Sequence, residues 1–171
     1  GMRVPPAGLL PGLRTLCDTH GALLVLDEVY TGFGRTGRWF ACEHSSTLPD
    51  LICLGKALTG GFPLSACVGR ADWMDRAWPV STGEAIHTST YLGHPVGCAM
   101  ALAQIEEIQR RNLVERSDRL GAILLSQLNQ LESPSLKLRA RGCGLMAGLE
   151  LLDSKGHPAS ARAFSLIQAM L

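Results

Sequence analysis

Short apolar runs alternate with longer amphipathic stretches along this chain, and the two patterns predict different elements. Gly21-Ala-Leu-Leu-Val-Leu26, Asp50-Leu-Ile-Cys-Leu54 and Pro63-Leu-Ser-Ala-Cys-Val68 read as strands. Leu9, Leu10, Leu13, Leu16 and Cys17 recur at helical spacing up to His20-Gly21, where the glycine suits a C-cap. Ala71 to Trp78 reads as a short helix ended by Pro79. Pro95 stands where a first-turn proline is tolerated, and Val96, Ala99, Met100, Leu102, Ala103, Ile105 and Ile108 form one long apolar face behind it. A further helix, from about Leu113 to Leu131, carries Leu120, Ile123, Leu124, Leu128 and Leu131, with the join at Arg110 to Asn112. Leu136 to Arg141 alternates apolar and basic residues and Gly144 to Leu151 is more continuously apolar, so both read as strands; a last helical pattern runs from Ala161 to Leu171. Phe33 to Glu43, rich in glycine with Arg35, Arg38, Trp39 and Phe40, reads as a site-lining loop, and the aperiodic Val80 to Gly93 as a second loop. The succession predicts an α/β chain: a doubly wound domain over residues 1–133, then the beginning of a small α+β domain over 134–171, with the shift at Ser133-Pro134.

Composition narrows the function classes. At 171 residues the chain is long enough for one sizeable core, because a domain of that order buries roughly 68–70% of its unfolded surface. Sixteen basic residues against 15 acidic ones leave a net charge of +1, which offers no electrostatic footprint for nucleic acid. No apolar run reaches the roughly 18 residues that span a bilayer and no signal peptide opens the chain, so no membrane association and a cytoplasmic location are expected. Six cysteines are scattered without C-x-x-C spacing, which fits a reducing compartment, and five histidines show no ligand pair, so no metal is expected. Gly1 precedes Met2, and Leu171 falls inside a helical pattern; the chain is expected to be cut at both ends.

Chemistry concentrates where two consecutive strands end. One apolar run leads into Asp27-Glu28 and then Thr31-Gly-Phe-Gly-Arg-Thr-Gly37; the next leads into Gly55-Lys56 and then Thr59-Gly60-Gly61. In open α/β sheets the ligand crevice lies outside the carboxyl ends of the strands, so Asp27 and Lys56 would both face it. A lysine and a carboxylate there suit pyridoxal phosphate, with the amine forming a Schiff base and the aspartate keeping the pyridinium nitrogen protonated. A simple ion pair between the two is the alternative that spacing leaves open.

Three motifs in order decide between these readings. Leu26-Asp-Glu-Val-Tyr-Thr-Gly-Phe-Gly-Arg-Thr-Gly37, Pro49-Asp-Leu-Ile-Cys-Leu-Gly-Lys-Ala-Leu-Thr-Gly-Gly61 and His87-Thr-Ser-Thr-Tyr-Leu-Gly-His-Pro95 resemble the class III pyridoxal-phosphate aminotransferases, relatives of ornithine, acetylornithine and 4-aminobutyrate aminotransferases. The resemblance runs from near Pro5 to near Leu151 and implies part of the large domain of a fold type I pyridoxal-phosphate transferase. It implies Lys56 as Schiff-base anchor and proton-moving base, Asp27 facing the pyridine nitrogen, and Val29 packed on the ring. Ser89 and Thr90 would reach the cofactor phosphate of a neighbouring subunit, making the active site a property of a homodimer. Tyr30 stands where many members carry a glutamine touching the cofactor's phenolic oxygen, and its hydroxyl would donate there. His94 replaces the common asparagine before Pro95, Arg141 matches a family arginine read as structural, and Arg35 is the candidate for a loop-closing ion pair, with a solvated arginine as the alternative.

The expected activity is transfer of an amino group from an amine or ω-amino acid to a 2-oxo acid. A decarboxylase or aminomutase outcome on the same cofactor is the second reading, because fold and anchor do not set the reaction. An inactive truncated chain is the third: the family's upstream phosphate-cradling loop, its ring-stacking aromatic residue and its downstream substrate arginine have no counterpart in these 171 residues.

Overall fold

The computed structural model describes residues 2–84, 87, 88 and 90–171. Helix α1 (Leu9–His20) ends on Gly21, whose φ of 63° lets its N–H cap the Cys17 carbonyl. Strand β1 (Val25–Asp27) lies parallel to β2 (Leu51–Leu54), with Asp27 opposite Cys53, and β3 (Ala66–Gly69) pairs antiparallel along the other edge of β2. The first strand is shorter and later than the apolar run Gly21–Leu26 predicts. Gly21 is consumed by the helix cap, and the Leu24 N–H donates to the Asp50 carboxylate at 2.8 Å instead of to a neighbouring strand. Asp27 is therefore the last residue of the strand. The third strand begins at Ala66 and not at Pro63, a residue with no N–H to give a ladder.

The described sheet is mixed, whereas a doubly wound domain predicts parallel strands. Between β2 and β3 the chain makes only a short 3₁₀ turn, Lys56–Leu58, with no crossover helix, so it returns beside β2 in the opposite direction. Between β1 and β2 the glycine-rich loop tightens into a second 3₁₀ turn, Ala41–Ser45. Helix α2 (Ala71–Ala77) follows β3, and the described residues between Val80 and Gly93 form no helix or strand. Helix α3 (Pro95–Arg110) opens on Pro95 as the pattern requires, and α4 (Leu113–Asn129) follows after Asn112 takes a left-handed φ of 49°. The hairpin of β4 (Lys137–Cys143) and β5 (Met146–Leu152) turns at Gly144-Leu145, where only Gly144 has positive φ (54°), the type II′ pattern. That turn delays β5 by two residues from its predicted start at Gly144. Helix α5 (Ser160–Met170) is the last element.

Leu24, Cys42, Leu54, Leu58, Ala101, Ile108 and Val114 are the buried apolar residues, and α3 packs on the Lys56–Leu58 turn and on α4. Asp50 ties the layers together. Its Oδ2 accepts from Arg14 of α1 at 2.7 Å and from the Leu24 N–H, and Arg70 approaches the other oxygen at 3.8 Å. The Arg14 guanidinium, then the Leu24 amide, hold its carboxyl below the usual carboxylate range. A second junction depends on missing side chains: a Cβ on Gly121 of α4 would stand 2.1 Å from the Gly144 oxygen, and one on Gly144 would stand 2.4 Å from the Thr36 carbonyl carbon. Helix, hairpin turn and glycine-rich loop thus meet backbone to backbone.

Candidate active site

Strand pairing brings the two predicted chemical groups to one edge. Asp27 ends β1, and Lys56 follows the residue opposite Asp27, Cys53, by three positions. The Asp27 Oδ1 accepts the Val29 N–H at 3.0 Å, closing a turn that leaves the carboxylate exposed. Lys56 has a φ of 40°, a left-handed conformation that costs a non-glycine residue about 1 kcal/mol. Buried Leu54 and Leu58 on either side hold the strained residue in place.

Val29 lies against the exit of β2. A Cβ on Gly55 would meet the Val29 Cγ1 at 3.2 Å, so glycine immediately before the lysine lets the two segments close up. Tyr30 gathers two cations: the Lys56 Nζ lies 4.7 Å from its ring centroid and the Arg35 Cζ lies 5.7 Å from it. Among the described residues Arg35 forms no ion pair, so the loop-closing pair expected of it is not there; its guanidinium lies over the Tyr30 ring. Its backbone carbonyl anchors the loop instead, accepting from the Ser117 hydroxyl at 3.2 Å and the Leu145 N–H at 3.1 Å. Arg141 donates to the Met2 carbonyl at 2.6 Å and pairs with Glu150 at 2.7 Å, both contacts within the framework.

Glu28 is the residue that pattern reading passed over. Next to exposed Asp27, it is 3% exposed and points the opposite way. Its carboxylate accepts from the Ala41 N–H at 2.9 Å, the Cys42 N–H at 2.8 Å and the Thr31 hydroxyl. One buried anion therefore fastens both ends of the glycine-rich loop beneath Asp27. Burial, then the Glu28 charge, pushes the Cys42 thiol up to about 11. The signal in sequence was a second carboxylate directly after Asp27 at the end of an apolar run, just past the last residue of β1.

Thr90 is exposed in the turn that leads to α3. Ser89 is outside the described residues. His94, just ahead of α3, packs on Phe62 with ring centroids 5.0 Å apart, and a Cβ on Gly97 would meet the Phe62 ring at 3.0 Å. Phe62 thus joins the turn following Lys56 to the start of α3, a contact between distant positions that no periodicity announces.

The class-III aminotransferase family matches the chain over residues 1–168. The chain belongs to that family. This class-III chain is 46% identical over 153 residues to the putrescine aminotransferase of Pectobacterium atrosepticum, covering 88% of itself and 32% of that protein. It is 42% identical over 156 residues to the leucine/methionine racemase of Thermococcus litoralis, covering 91% of itself and 34% of that enzyme. Among solved structures, the acetylornithine aminotransferase of Elizabethkingia anophelis superposes with a TM-score of 0.84 at 36% identity, across 97% of this chain and 40% of that one. The chain spans about a third of the length of the curated relatives it matches. Its described part is an α/β fragment of the fold those aminotransferases share. Among the described residues no helix is long and apolar enough to cross a membrane.

Proposed function

We propose that this chain carries the lysine anchor of an aminotransferase that moves an amino group from an amine or ω-amino acid to a 2-oxo acid. The observation that carries this reading is the pair Asp27 and Lys56 at the carboxyl ends of two adjacent parallel strands. Pyridoxal phosphate is the cofactor of the class-III family, and the residues present fit it. Asp27 offers a carboxylate with one oxygen engaged by Val29 and the other taking no hydrogen bond among the described residues, which suits a protonated ring nitrogen. Lys56 presents an exposed amine with no carboxylate partner among the described residues, as condensation with an aldehyde requires.

When bound, the cofactor supplies an aldehyde that takes up the amino group and a ring that accepts electrons. Lys56 would hold the cofactor through its amine and, when free, that amine would be the base that moves a proton from the substrate Cα. Asp27 keeps its charge opposite the ring nitrogen and so keeps that nitrogen protonated. Val29 would pack on the ring and exclude water, and the Tyr30 hydroxyl would be the donor to the phenolic oxygen. Ser89 and Thr90 serve the phosphate of the partner subunit's cofactor, at the entrance to a helix whose first N–H groups favour an anion. The working unit is then a cytoplasmic homodimer with shared sites, its large domain ending near residue 133 and a small domain following from 134.

Lys56→Ala tests the reading. The protein with pyridoxal phosphate is expected to absorb at roughly 400–430 nm, and the substitution should abolish that band and the activity together; a band that survives sodium cyanoborohydride treatment unreduced, or that persists in Lys56→Ala, overturns the anchor. A second outcome on the same residues is favoured by the racemase relative. With amino acid alone, a transaminase stops after one equivalent of oxo acid, whereas a racemase turns over without any 2-oxo acid.

A further inference from the structure

Cys53 of β2 and Cys67 of β3 stand directly opposite each other, and the same register sets Cys53 beside Asp27 of β1. The Cys53 carbonyl accepts the Glu28 N–H at 2.9 Å on the β1 side. In a strand the amide and carbonyl of one residue point the same way, so neither group of Cys53 is turned toward β3. The phase is consistent at the next position of opposite sense, where the Asp50 carbonyl accepts the Arg70 N–H at 3.2 Å on the β3 side. Cys53 and Cys67 are therefore a non-hydrogen-bonded antiparallel pair, the class with Cα atoms about 4.5 Å apart and side chains closest. That separation lies within the span of about 4.4–6.8 Å over which a disulfide closes. Both thiols are free, with Cys67 exposed and Cys53 half-buried. No other two cysteines share a strand register among the described residues.

We infer that Cys53 and Cys67 form a dithiol site behind Asp27 that closes to a disulfide with a small-molecule disulfide oxidant of the glutathione type. Exposure makes Cys67 the sulfur that the reagent reaches first. Its thiolate attacks one oxidant sulfur, forming a mixed disulfide and expelling one thiolate. The Cys53 thiolate then attacks the Cys67 sulfur and expels the second. Two thiol protons and two electrons leave the protein, one S–S bond forms in it, and the oxidant ends as two thiols. Burial first, then the charges of Cys67 and Asp27, hold the Cys53 thiol above its ordinary range, so closure slows as pH falls and accelerates as it rises. The bridge would pin β2 to β3 beside Asp27 and three residues before Lys56, whatever Asp27 binds, so its formation is independent of the proposed activity.

The test is an anaerobic titration of the purified protein with reduced and oxidised glutathione at stepped ratios, followed by differential alkylation and peptide mass spectrometry. A single loss of two hydrogens mapping to a Cys53–Cys67 crosslink, reversed by dithiothreitol while the other four cysteines stay alkylatable, is expected. Cys53→Ser should trap a glutathione adduct on Cys67, and Cys67→Ser should leave Cys53 largely unmodified. Adducts that accumulate on Cys67 of the unsubstituted protein without a crosslink, or equal oxidation of the remaining cysteines, overturn the inference. Phenylarsine oxide gives a check that needs no variant. It requires two adjacent thiols, so it should shield Cys53 and Cys67 from alkylation together; failure to shield them also overturns it.

Discussion

The strand ends and the entrance to α3 hold their site residues by different means. Asp27 is placed by its pairing with Cys53 and its bond to Val29, and Lys56 by a strained turn between buried leucines, while Glu28 next to Asp27 fastens the glycine-rich loop. At the entrance to α3, His94 is packed on Phe62, while Thr90 stands exposed in the preceding turn. Paired backbone leaves a side chain little freedom, which suits the fixed charge proposed for Asp27 and the proton transfer proposed for Lys56. A hydroxyl on an outward turn suits contact with a second chain, the role proposed for Thr90. If this contrast is right, substitutions at the strand ends change chemistry or stability, and those at the α3 entrance change only cofactor retention.

Asp27→Ala should have the largest effect. Turnover is expected to fall by about a hundredfold or more, as when one preorganised charge partner is removed. Melting should barely move, because the carboxylate is exposed and makes one hydrogen bond. Steady-state rates set beside a thermal melt check both halves.

Glu28→Gln should give the opposite split. The amide accepts at one oxygen only and leaves buried N–H groups poorly paired, at a cost of about 1–3 kcal/mol. Urea unfolding should show that loss, and a variant as stable as the unsubstituted protein would remove Glu28 as the loop's anchor.

Asp50 predicts an acid limit. Its pKa is lowered in the folded state, so its contribution is fully present above the ordinary carboxylate pKa of about 3.9 and is lost as pH falls through the folded value. Urea midpoints measured downward from about pH 5 should fall more steeply in the unsubstituted protein than in Asp50→Asn, which starts lower because the Arg14 pair is gone. Parallel slopes would mean that the pair does not set the limit.

Thr90→Ala should have the smallest effect. Cofactor affinity is expected to weaken by about tenfold, the loss of one charge-assisted hydrogen bond of about 1.5 kcal/mol, with unfolding of the cofactor-free protein unchanged. Fluorescence titration with pyridoxal phosphate measures it; a fall in cofactor-free stability would place Thr90 in the framework instead.

Much of this architecture was legible in the residue pattern. The helices α1, α3 and α4 lie where the apolar faces put them, because a helix is built from contacts three and four residues apart. Asp27 and Lys56 were readable as strand-end groups for a similar reason: each closes a short apolar run. The direction of β3 was readable but passed over: the eight residues between Leu54 and Pro63 are too few for the crossover that a parallel return needs. The partner of Arg35 was not readable, because one exposed guanidinium accepts a carboxylate or an aromatic face and only proximity chooses.

The chain alone determined the inventory: one lysine and one aspartate at successive strand ends, glycines beyond them, and the motifs that set its family. It also determined that two carboxylates, Asp27 and Glu28, stand together where the first apolar run ends. Tertiary structure decided which of the two is covered, leaving Asp27 exposed and turning Glu28 into a buried clamp. It also decided that Tyr30 lies beside two cations and that Cys53 faces Cys67. Those outcomes rest on register between segments far apart in sequence, and a shift of one residue would turn each side chain to the other face.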